Sequence, residues 1–272
     1  MSHPPGISGP ITRDAPIYKA KHKTAAPMDD IVPTRIDGLD QVLGGGIPRG
    51  HTILVCGTPG TMKSTLCYTT MYNNAVEGEK GLYISLEQDG EHFRRSMAKL
   101  GMEDNGDNRV YILDLGTIRR ELGENETKKD WTQMLVDIAR QAVREDRYTM
   151  LTIDSLEAFY ALANLENPRR ELFHLFNEIK ELGVTVFFIT EAAIGSKVLT
   201  RNGEDFLADG MLLLEHFEVG ETDVQLRLRC VKMRQMGHAS GWFAVHHDGT
   251  RLLVSQVLSR RRRALPEPDE SP

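Results

Sequence analysis

A short glycine-containing segment constrains the fold of this chain more than any other feature. The segment Gly57-Thr-Pro-Gly-Thr-Met-Lys-Ser64 directly follows the apolar run Thr52–Cys56, and a helical pattern begins near its end. A glycine-rich turn between a buried strand and a helix points backbone N–H groups and a helix N-terminus at an anion. The spacing matches the phosphate-binding pattern G-x-x-x-x-G-K-[ST] at every defined position except one, where Met62 replaces glycine.

The segment predicts a site for the phosphates of a nucleotide. We expect Lys63 to reach the terminal phosphates and Ser64 to bind Mg²⁺. Met62 either adds a side chain near the phosphates or prevents a backbone angle that only glycine adopts easily. Nucleotide affinity or turnover is then expected to fall. The alternative is a chance glycine-rich turn before a helix. The predicted phosphate-binding residues are Gly57, Thr58, Pro59, Gly60, Thr61, Met62, Lys63, Ser64 and Thr65.

Strand and helix patterns alternate through most of the chain and then change character. Helical spacing of apolar residues separates the predicted strands Thr52–Cys56, Leu82–Leu86, Val110–Leu115, Met150–Ile153 and Val184–Ile189. Four further strands follow with little room for helices: Met211–Phe217, Val224–Val231, Trp242–Val245 and Leu252–Val254. This order predicts an α/β fold with a mostly parallel central sheet, helices on both faces and a C-terminal antiparallel extension.

Length and composition indicate one folded domain between two tails. Of the 272 residues, 29–258 are expected to form the domain, while residues 1–28 and 259–272 are expected to be disordered. The formal net charge of −6 argues against nucleic acid as a partner. No apolar run approaches the length of a membrane-spanning helix, and the N-terminus lacks an apolar signal core. The three isolated cysteines are typical of buried free thiols, so we expect a cytoplasmic protein without membrane contact.

Acidic residues follow three of the predicted strands. Ligands of open α/β sheets bind beyond the carboxyl ends of the parallel strands, where Asp154, Glu87 and Glu191 lie. Asp154 is expected to hold Mg²⁺ together with Ser64, and Glu87 to deprotonate an attacking water. Glu191 is expected to sense the γ-phosphate. The alternatives are a helix-capping role for Asp154 and surface positions for the other two.

Several segments together resemble the KaiC and RadA branch of the RecA superfamily. They are Arg35–Gly50, Tyr83–Gln88, Ile153–Ser155, Thr190–Glu191 and the stretch Lys232-Met-Arg-Gln-Met-Gly-His-Ala-Ser-Gly241, which is similar to the KaiC pattern K-x-R-x-x-x-H-x-x-G. The resemblance extends from about Arg35 to about Val257. It implies a RecA-like P-loop NTPase fold and a single-domain member of the KaiC-like family.

The late motif implies an assembly. In the family these side chains reach the nucleotide of a neighbouring subunit in a hexameric ring, so Lys232, Arg234 and His238 are implied to act there. Strand residues i and i+2 share a face, so Lys232 and Arg234 are expected to project together and to continue the apolar face of Leu228 and Cys230. The alternatives are a strand end entering solvent and a structural role for His238.

The sequence departs from the family pattern at Met62, at Gln88 in place of a second glutamate, and at Glu204–Asp209, which contains no hydroxyl where one KaiC repeat carries its phosphorylation sites. The predicted function is Mg²⁺-dependent ATP binding and slow hydrolysis in a homo-oligomeric, hexameric ring, with Glu87, Lys63, Lys232 and Arg234 as catalytic residues. An unidentified protein partner is expected to read the nucleotide state. The alternatives are an assembly module with little turnover, a serine/threonine autokinase and a DNA-binding recombinase-like ATPase.

Overall fold

The computed structural model describes residues 30–103, 110–116, 130–163, 165–192 and 199–257. The predicted disordered arm and tail lie outside these residues. The strands are β1 (Ile31–Val32), β2 (Ile47–Pro48), β3 (Thr52–Gly57), β4 (Gly81–Ser85), β5 (Val110–Asp114), β6 (Met150–Asp154), β7 (Thr185–Glu191), β8 (Gly210–Val219), β9 (Asp223–Met233), β10 (Phe243–His247) and β11 (Leu252–Gln256).

Nine of these strands form one sheet in the order β11-β10-β9-β8-β3-β7-β6-β4-β5. The strands from β8 to β5 run parallel, and β9, β10 and β11 are added antiparallel at one edge. The predicted fold class, including the C-terminal antiparallel extension, is therefore confirmed. Strands β10 and β11 are joined at an Asp248-Gly249 turn, a sequence typical of hairpins, where Asp248 N donates to Arg251 O.

The central strands are buried on both faces because helices cover the sheet from both sides. In β3, Leu54 and Cys56 belong to one apolar cluster, while Ile53 and Val55 belong to another on the opposite face. This period of two gives both layers of the core a share of each strand. Cys67 and Cys230 are buried like Cys56, as the sequence predicts.

The helices contribute one apolar side each to these clusters. They are α1 (Leu39–Val42), α2 (Lys63–Val76), α3 (Gly90–Lys99), α4 (Trp131–Arg144), α5 (Leu156–Ala163), α6 (Pro168–Lys180) and α7 (Glu204–Leu207). Residues of α4, α5 and α6 pack on one face of the sheet, and those of α1, α2 and α3 pack on the other. The sequence Asn167-Pro168 explains the start of α6, since the Asn167 side chain accepts from Arg170 N and Pro168 is the first helical residue.

Strand β9 carries an irregularity that the sequence pattern did not predict. The register with β8 shifts between Met211 and Leu212, so that Met211 pairs with Lys232 but Leu212 pairs with Cys230. This bulge reverses the alternation of side chains, and Met233 instead of Lys232 continues the buried face of Cys230. The expectation that Lys232 continues that apolar face is therefore wrong.

The segment before β3 is attached to the sheet edge through close backbone contact. Val254 N of β11 donates to Asp37 O at 2.7 Å. Gly38 follows with a φ of +83°, and a Cβ built on it would lie 1.8 Å from Val254 O. Only glycine meets both the backbone angle and the space at this position.

Alanine substitutions at two glycines separate these constraints. Gly78 also has a positive φ, of +100°, but nothing lies within 4 Å of its Cβ position. Gly78→Ala should destabilise the fold by about 1 kcal/mol through backbone strain alone. Gly38→Ala adds a clash with backbone and should cost about 1–3 kcal/mol more. Urea unfolding of both variants checks this, and equal losses would mean that the Val254 contact is not tight.

Candidate functional site

Four adjacent parallel strands bring the predicted site residues to one edge of the sheet. In the register of the sheet, Gly57 of β3 is opposite Glu191 of β7, and Asp154 of β6 is opposite Ser85 of β4. Glu87 follows β4 by two residues. The carboxyl ends of these strands therefore gather the phosphate-loop residues and three acidic side chains at one place.

A cavity of about 740 Å³ opens between these residues. Its lining includes Pro59–Thr65 of the loop together with Glu87, Asp154 and Glu191. The volume lies within the range of pockets that bind small molecules and cofactors. The cavity also borders the N-terminus of α2, where unpaired N–H groups and the helix dipole favour an anion.

Met62 adopts the left-handed backbone conformation. Its φ is +61° and its ψ is +27°, at the residue preceding the first turn of α2. Glycine adopts this conformation without penalty, whereas an L-residue is strained there by about 1–2 kcal/mol. The expectation that Met62 prevents this angle is therefore wrong. Its side chain borders the cavity and packs against the core beside α2.

Lys63 lies folded back on the loop. Its Nζ donates to Gly57 O at 2.9 Å and to Thr58 O at 3.0 Å, and the residue is 9% exposed. Both carbonyls belong to the turn that the sequence predicts around the phosphates. The ammonium group is therefore held within the loop, on the side that borders the cavity.

Asp154 is the centre of a hydrogen-bonded group of three residues. Ser64 Oγ donates to Asp154 Oδ2 at 2.7 Å, and the buried Tyr83 hydroxyl donates to the same oxygen. Burial raises the pKa of Asp154, and the hydrogen bonds from Tyr83 and Ser64 oppose that rise. A hydroxyl and a carboxylate at the N-terminus of α2 are oxygen ligands of the kind that Mg²⁺ prefers, so this donor set fits the predicted ion.

Glu87 and Glu191 are each held by a short contact near the cavity. Ser155 Oγ donates to Glu87 Oε1 at 2.6 Å. The backbone N–H of Glu191 donates to Glu157 Oε1 at 2.9 Å, and Thr190 Oγ1 donates to the same oxygen at 2.7 Å. Glu157 Oε2 is buried and has no hydrogen-bond partner among the described residues. The carboxylate of Glu87 is thus oriented by a hydroxyl next to Asp154.

Lys232 and Arg234 lie at the opposite end of the sheet. Arg234 N donates to Asp209 O, and Asp209 N donates to Thr52 O at the first residue of β3. The phosphate loop begins at Gly57, five residues further along β3, which at 3.3 Å per residue is about 16 Å away. Lys232 is closer, since it pairs with Met211 opposite Leu54, but neither cation lines the cavity of its own subunit. His238 is not in the cavity lining either, and its Nδ1 lies 3.1 Å from Ala239 O.

Sequence reasoning missed Tyr83, Ser155 and Glu157 as neighbours of the site. Ser155 follows Asp154 directly, so its proximity was available from the chain itself. Tyr83 lies inside a predicted buried strand, where a phenol is indistinguishable from an ordinary aromatic core residue without knowledge of its neighbours. Glu157 belongs to α5, a short helix that the periodicity did not reveal.

A model of the KaiC ATPase family matches residues 32–249. The chain therefore belongs to the KaiC ATPase family, which assigns it to the nucleotide-binding ATPases with a RecA-like P-loop fold.

The chain is similar to a UPF0273 protein of Aeropyrum pernix, with 28% identity over 220 residues that cover 78% of this chain and 88% of that protein. It is also 28% identical to the circadian clock oscillator protein KaiC of Thermostichus vulcanus over 219 residues, which cover 77% of this chain but only 41% of KaiC. The match to KaiC thus spans less than half of that longer protein.

A solved structure agrees with the fold. The crystal structure of a KaiC-like protein from Pyrococcus horikoshii superimposes with a TM-score of 0.70 at 26% identity, covering 82% of this chain and 98% of that one. The described part of the chain contains no helix with the length and apolar character needed to cross a membrane.

The strain at Met62 is measurable by comparing two small replacements. Met62→Gly and Met62→Ala lose the same packing of the side chain beyond Cβ, but only alanine keeps an L-residue at φ +61°. Met62→Gly should therefore be more stable than Met62→Ala by about 1 kcal/mol. Thermal or urea unfolding measures this difference. Equal stabilities would show that the loop relaxes out of the left-handed conformation at no cost.

Proposed function

We propose that this protein binds ATP with Mg²⁺ and hydrolyses it slowly as a homo-oligomeric, hexameric ring. One observation carries the proposal: Lys63, Ser64, Asp154 and Glu87 surround one cavity at the N-terminus of α2. Family membership supports nucleotide binding and ATPase activity. The ring is inferred from the resemblance of Lys232–Gly241 to the family pattern, and the ion and the catalytic residues are inferred from the geometry of the cavity.

Each residue of the cavity has a proposed task. The loop N–H groups and the Lys63 ammonium bind the β- and γ-phosphates. Ser64 and Asp154 would hold Mg²⁺, which when bound would neutralise charge on the phosphate oxygens. Glu87 accepts the proton of the attacking water, and Gln88 beside it carries an amide that cannot act as a base. Glu191 is positioned at the cavity to respond to the γ-phosphate.

The location of Lys232 and Arg234 supports action between subunits. Arg234 lies about 16 Å along β3 from the phosphate loop, and neither Arg234 nor Lys232 lines the cavity, so both are positioned away from the nucleotide of their own subunit. A ring in which one end of the sheet faces the loop of the next subunit would place these cations beside a neighbour's γ-phosphate, as an arginine finger supplied in trans. His238 follows the same strand and is proposed to contribute to that interface.

A second function is favoured by two residues. The strained Met62 and the amide of Gln88 both lie at the cavity and would reduce turnover without preventing binding. The protein would then be a nucleotide-dependent assembly module whose state is read by a protein partner. Measuring phosphate release per subunit distinguishes this module from a slow ATPase.

The other two candidates have less support. Autokinase activity at the family position would need a hydroxyl in the segment 204–209, which contains none. A DNA-binding role is disfavoured by the net charge of −6. Mass measurement after incubation with ATP and a salt-dependent DNA titration test these two possibilities.

Replacing the proposed base tests the chemistry. Glu87→Gln should bind ATP normally but lose nearly all hydrolysis, because a carboxamide cannot accept the proton of water. Gln88→Glu is the matched control on the adjacent residue and should maintain or raise turnover. Calorimetric titration and a phosphate-release assay measure binding and turnover. Normal hydrolysis by Glu87→Gln would assign the base to another residue.

Mixing two inactive variants tests the ring. Lys63→Ala should lose ATP binding but still supply Arg234 to its neighbour. Arg234→Ala should bind ATP, but its rate of hydrolysis should fall by a factor on the order of 10³. Mixed rings should recover activity that neither variant has alone. Native mass spectrometry verifies that mixed rings form. If they form and remain inactive, Arg234 does not act on a neighbour's nucleotide.

A further inference from the structure

A buried carboxylate, Asp209, lies beside Arg234 at the amino end of β3. Asp209 precedes β8, and its side chain is 5% exposed. Its Oδ1 accepts from Lys180 Nζ at 2.6 Å and from Arg234 Nη1 at 3.1 Å. Its Oδ2 accepts from the backbone N–H of Thr52 at 3.3 Å. Both oxygens are therefore occupied by donors from β3, α6 and the end of β9.

The backbone around Asp209 is fixed as firmly as its side chain. Asp209 N donates to Thr52 O at 2.8 Å, and Arg234 N donates to Asp209 O at 2.9 Å. His51 Nε2 lies 3.2 Å from Arg234 O on the other side of that residue. Asp209 and Arg234 are thus both linked to the first residue of β3, so the sheet fixes the distance between their backbones.

Asp209 also balances a concentration of positive charge. Lys232 Nζ lies nearby and donates to two backbone carbonyls, Ala208 O at 2.6 Å and Asp205 O at 2.8 Å. Burial and the charge of Arg234 lower the pKa of Lys232. Burial alone would raise the pKa of Asp209, but hydrogen bonds from Lys180, Thr52 and Arg234 lower it below its ordinary value. Asp209 is therefore ionised at neutral pH and offsets repulsion between the cations.

We propose that Asp209 is the positioning residue for Arg234, holding its guanidinium in the orientation in which it meets the neighbouring subunit's nucleotide. The proposal rests on the function proposed above, because it assumes that Arg234 acts in trans. Asp209 touches no nucleotide in this scheme, and its effect passes entirely through Arg234.

The contacts of Arg234 indicate that Asp209 orients the guanidinium and does not bury it away from a partner. Nη1 binds Asp209 and Nη2 donates to Phe206 O at 3.1 Å, so two of the five N–H donors of a guanidinium are used. The side chain is nevertheless 47% exposed. The guanidinium is therefore anchored through two nitrogens, while about half of the side chain stays accessible to a partner. Fixing a free arginine side chain costs conformational entropy, and the anchor removes much of that cost before assembly.

The first test compares two variants of the same ion-paired group. Asp209→Asn keeps the shape and removes the charge, and it should lower kcat by a factor on the order of 10² while the KM for ATP is unchanged. Lys180→Met is the matched control, because it breaks the other ion pair of Asp209 and leaves the Arg234 contact. It should keep wild-type kcat. Equal losses in both variants would mean that Asp209 only attaches α6 to the sheet.

Subunit mixing provides a readout that a structural role would not give. If Asp209 acts through Arg234, Asp209→Asn is defective only as a donor. It should regain activity with Lys63→Ala, which donates but does not bind ATP, and should regain none with Arg234→Ala. Recovery with Arg234→Ala, or failure with Lys63→Ala in rings shown to form by native mass spectrometry, overturns the proposal.

A second variant avoids dependence on the folding of Asp209→Asn. Arg234→Lys keeps the charge but cannot contact Asp209 and Phe206 O with two nitrogens, and its kcat should fall by at least about tenfold. Full activity in Arg234→Lys would show that charge without orientation suffices.

If wild-type rings hydrolyse no ATP, or Arg234→Ala is fully active, the proposed function itself fails. If those two behave as expected and Asp209→Asn keeps its kcat, only the role of Asp209 fails.

Discussion

Strand β3 is the element on which the rest of the structure depends. It lies between β7 and β8, all six of its residues are buried, and it supplies side chains to the cores on both faces of the sheet. Its carboxyl end becomes the phosphate loop, and its amino end pairs through Thr52 with Asp209. A strand hydrogen-bonded on both sides cannot shift its register by one residue without exchanging its two faces. The positions of the cavity and of the two cations are therefore fixed relative to each other.

The sequence was sufficient to predict the parts of the fold that depend on the spacing of apolar residues and on residues that begin or end helices and strands. The alternation up to β7 and the closely spaced strands after it predict the parallel sheet and its antiparallel edge, and Asn167-Pro168 marks the start of α6. The acidic residues at strand ends converge because carboxyl ends of adjacent parallel strands meet at one edge. The roles assigned to these residues stay predictions, although their common cavity agrees with them.

The features that the sequence could not reveal depend on contacts between distant residues. The bulge in β9 arises from its pairing with β8, and a pattern of alternating residues contains no sign of it. The Tyr83 hydroxyl matters only because β4 lies beside β6 and places it next to Asp154. The sequence alone did not decide between two consequences of Met62. One is an added side chain near the phosphates, and the other is a change in the backbone angle that glycine normally adopts there. In the structure the Met62 side chain borders the cavity, and its backbone adopts the left-handed conformation with strain.

The separation of the two ends of β3 has a consequence for stoichiometry. A contact that joins the loop end of one subunit to the cation end of the next is heterologous, because the two surfaces are different. In the proposed assembly, an open arc has one complete site fewer than it has subunits, since the last loop meets no donor. Closing the arc completes that final site without adding a subunit. ATP hydrolysis per subunit would then rise when the ring closes. A single subunit that lacks its donor cations would inactivate one site, that of its neighbour, while its own pocket would still bind ATP.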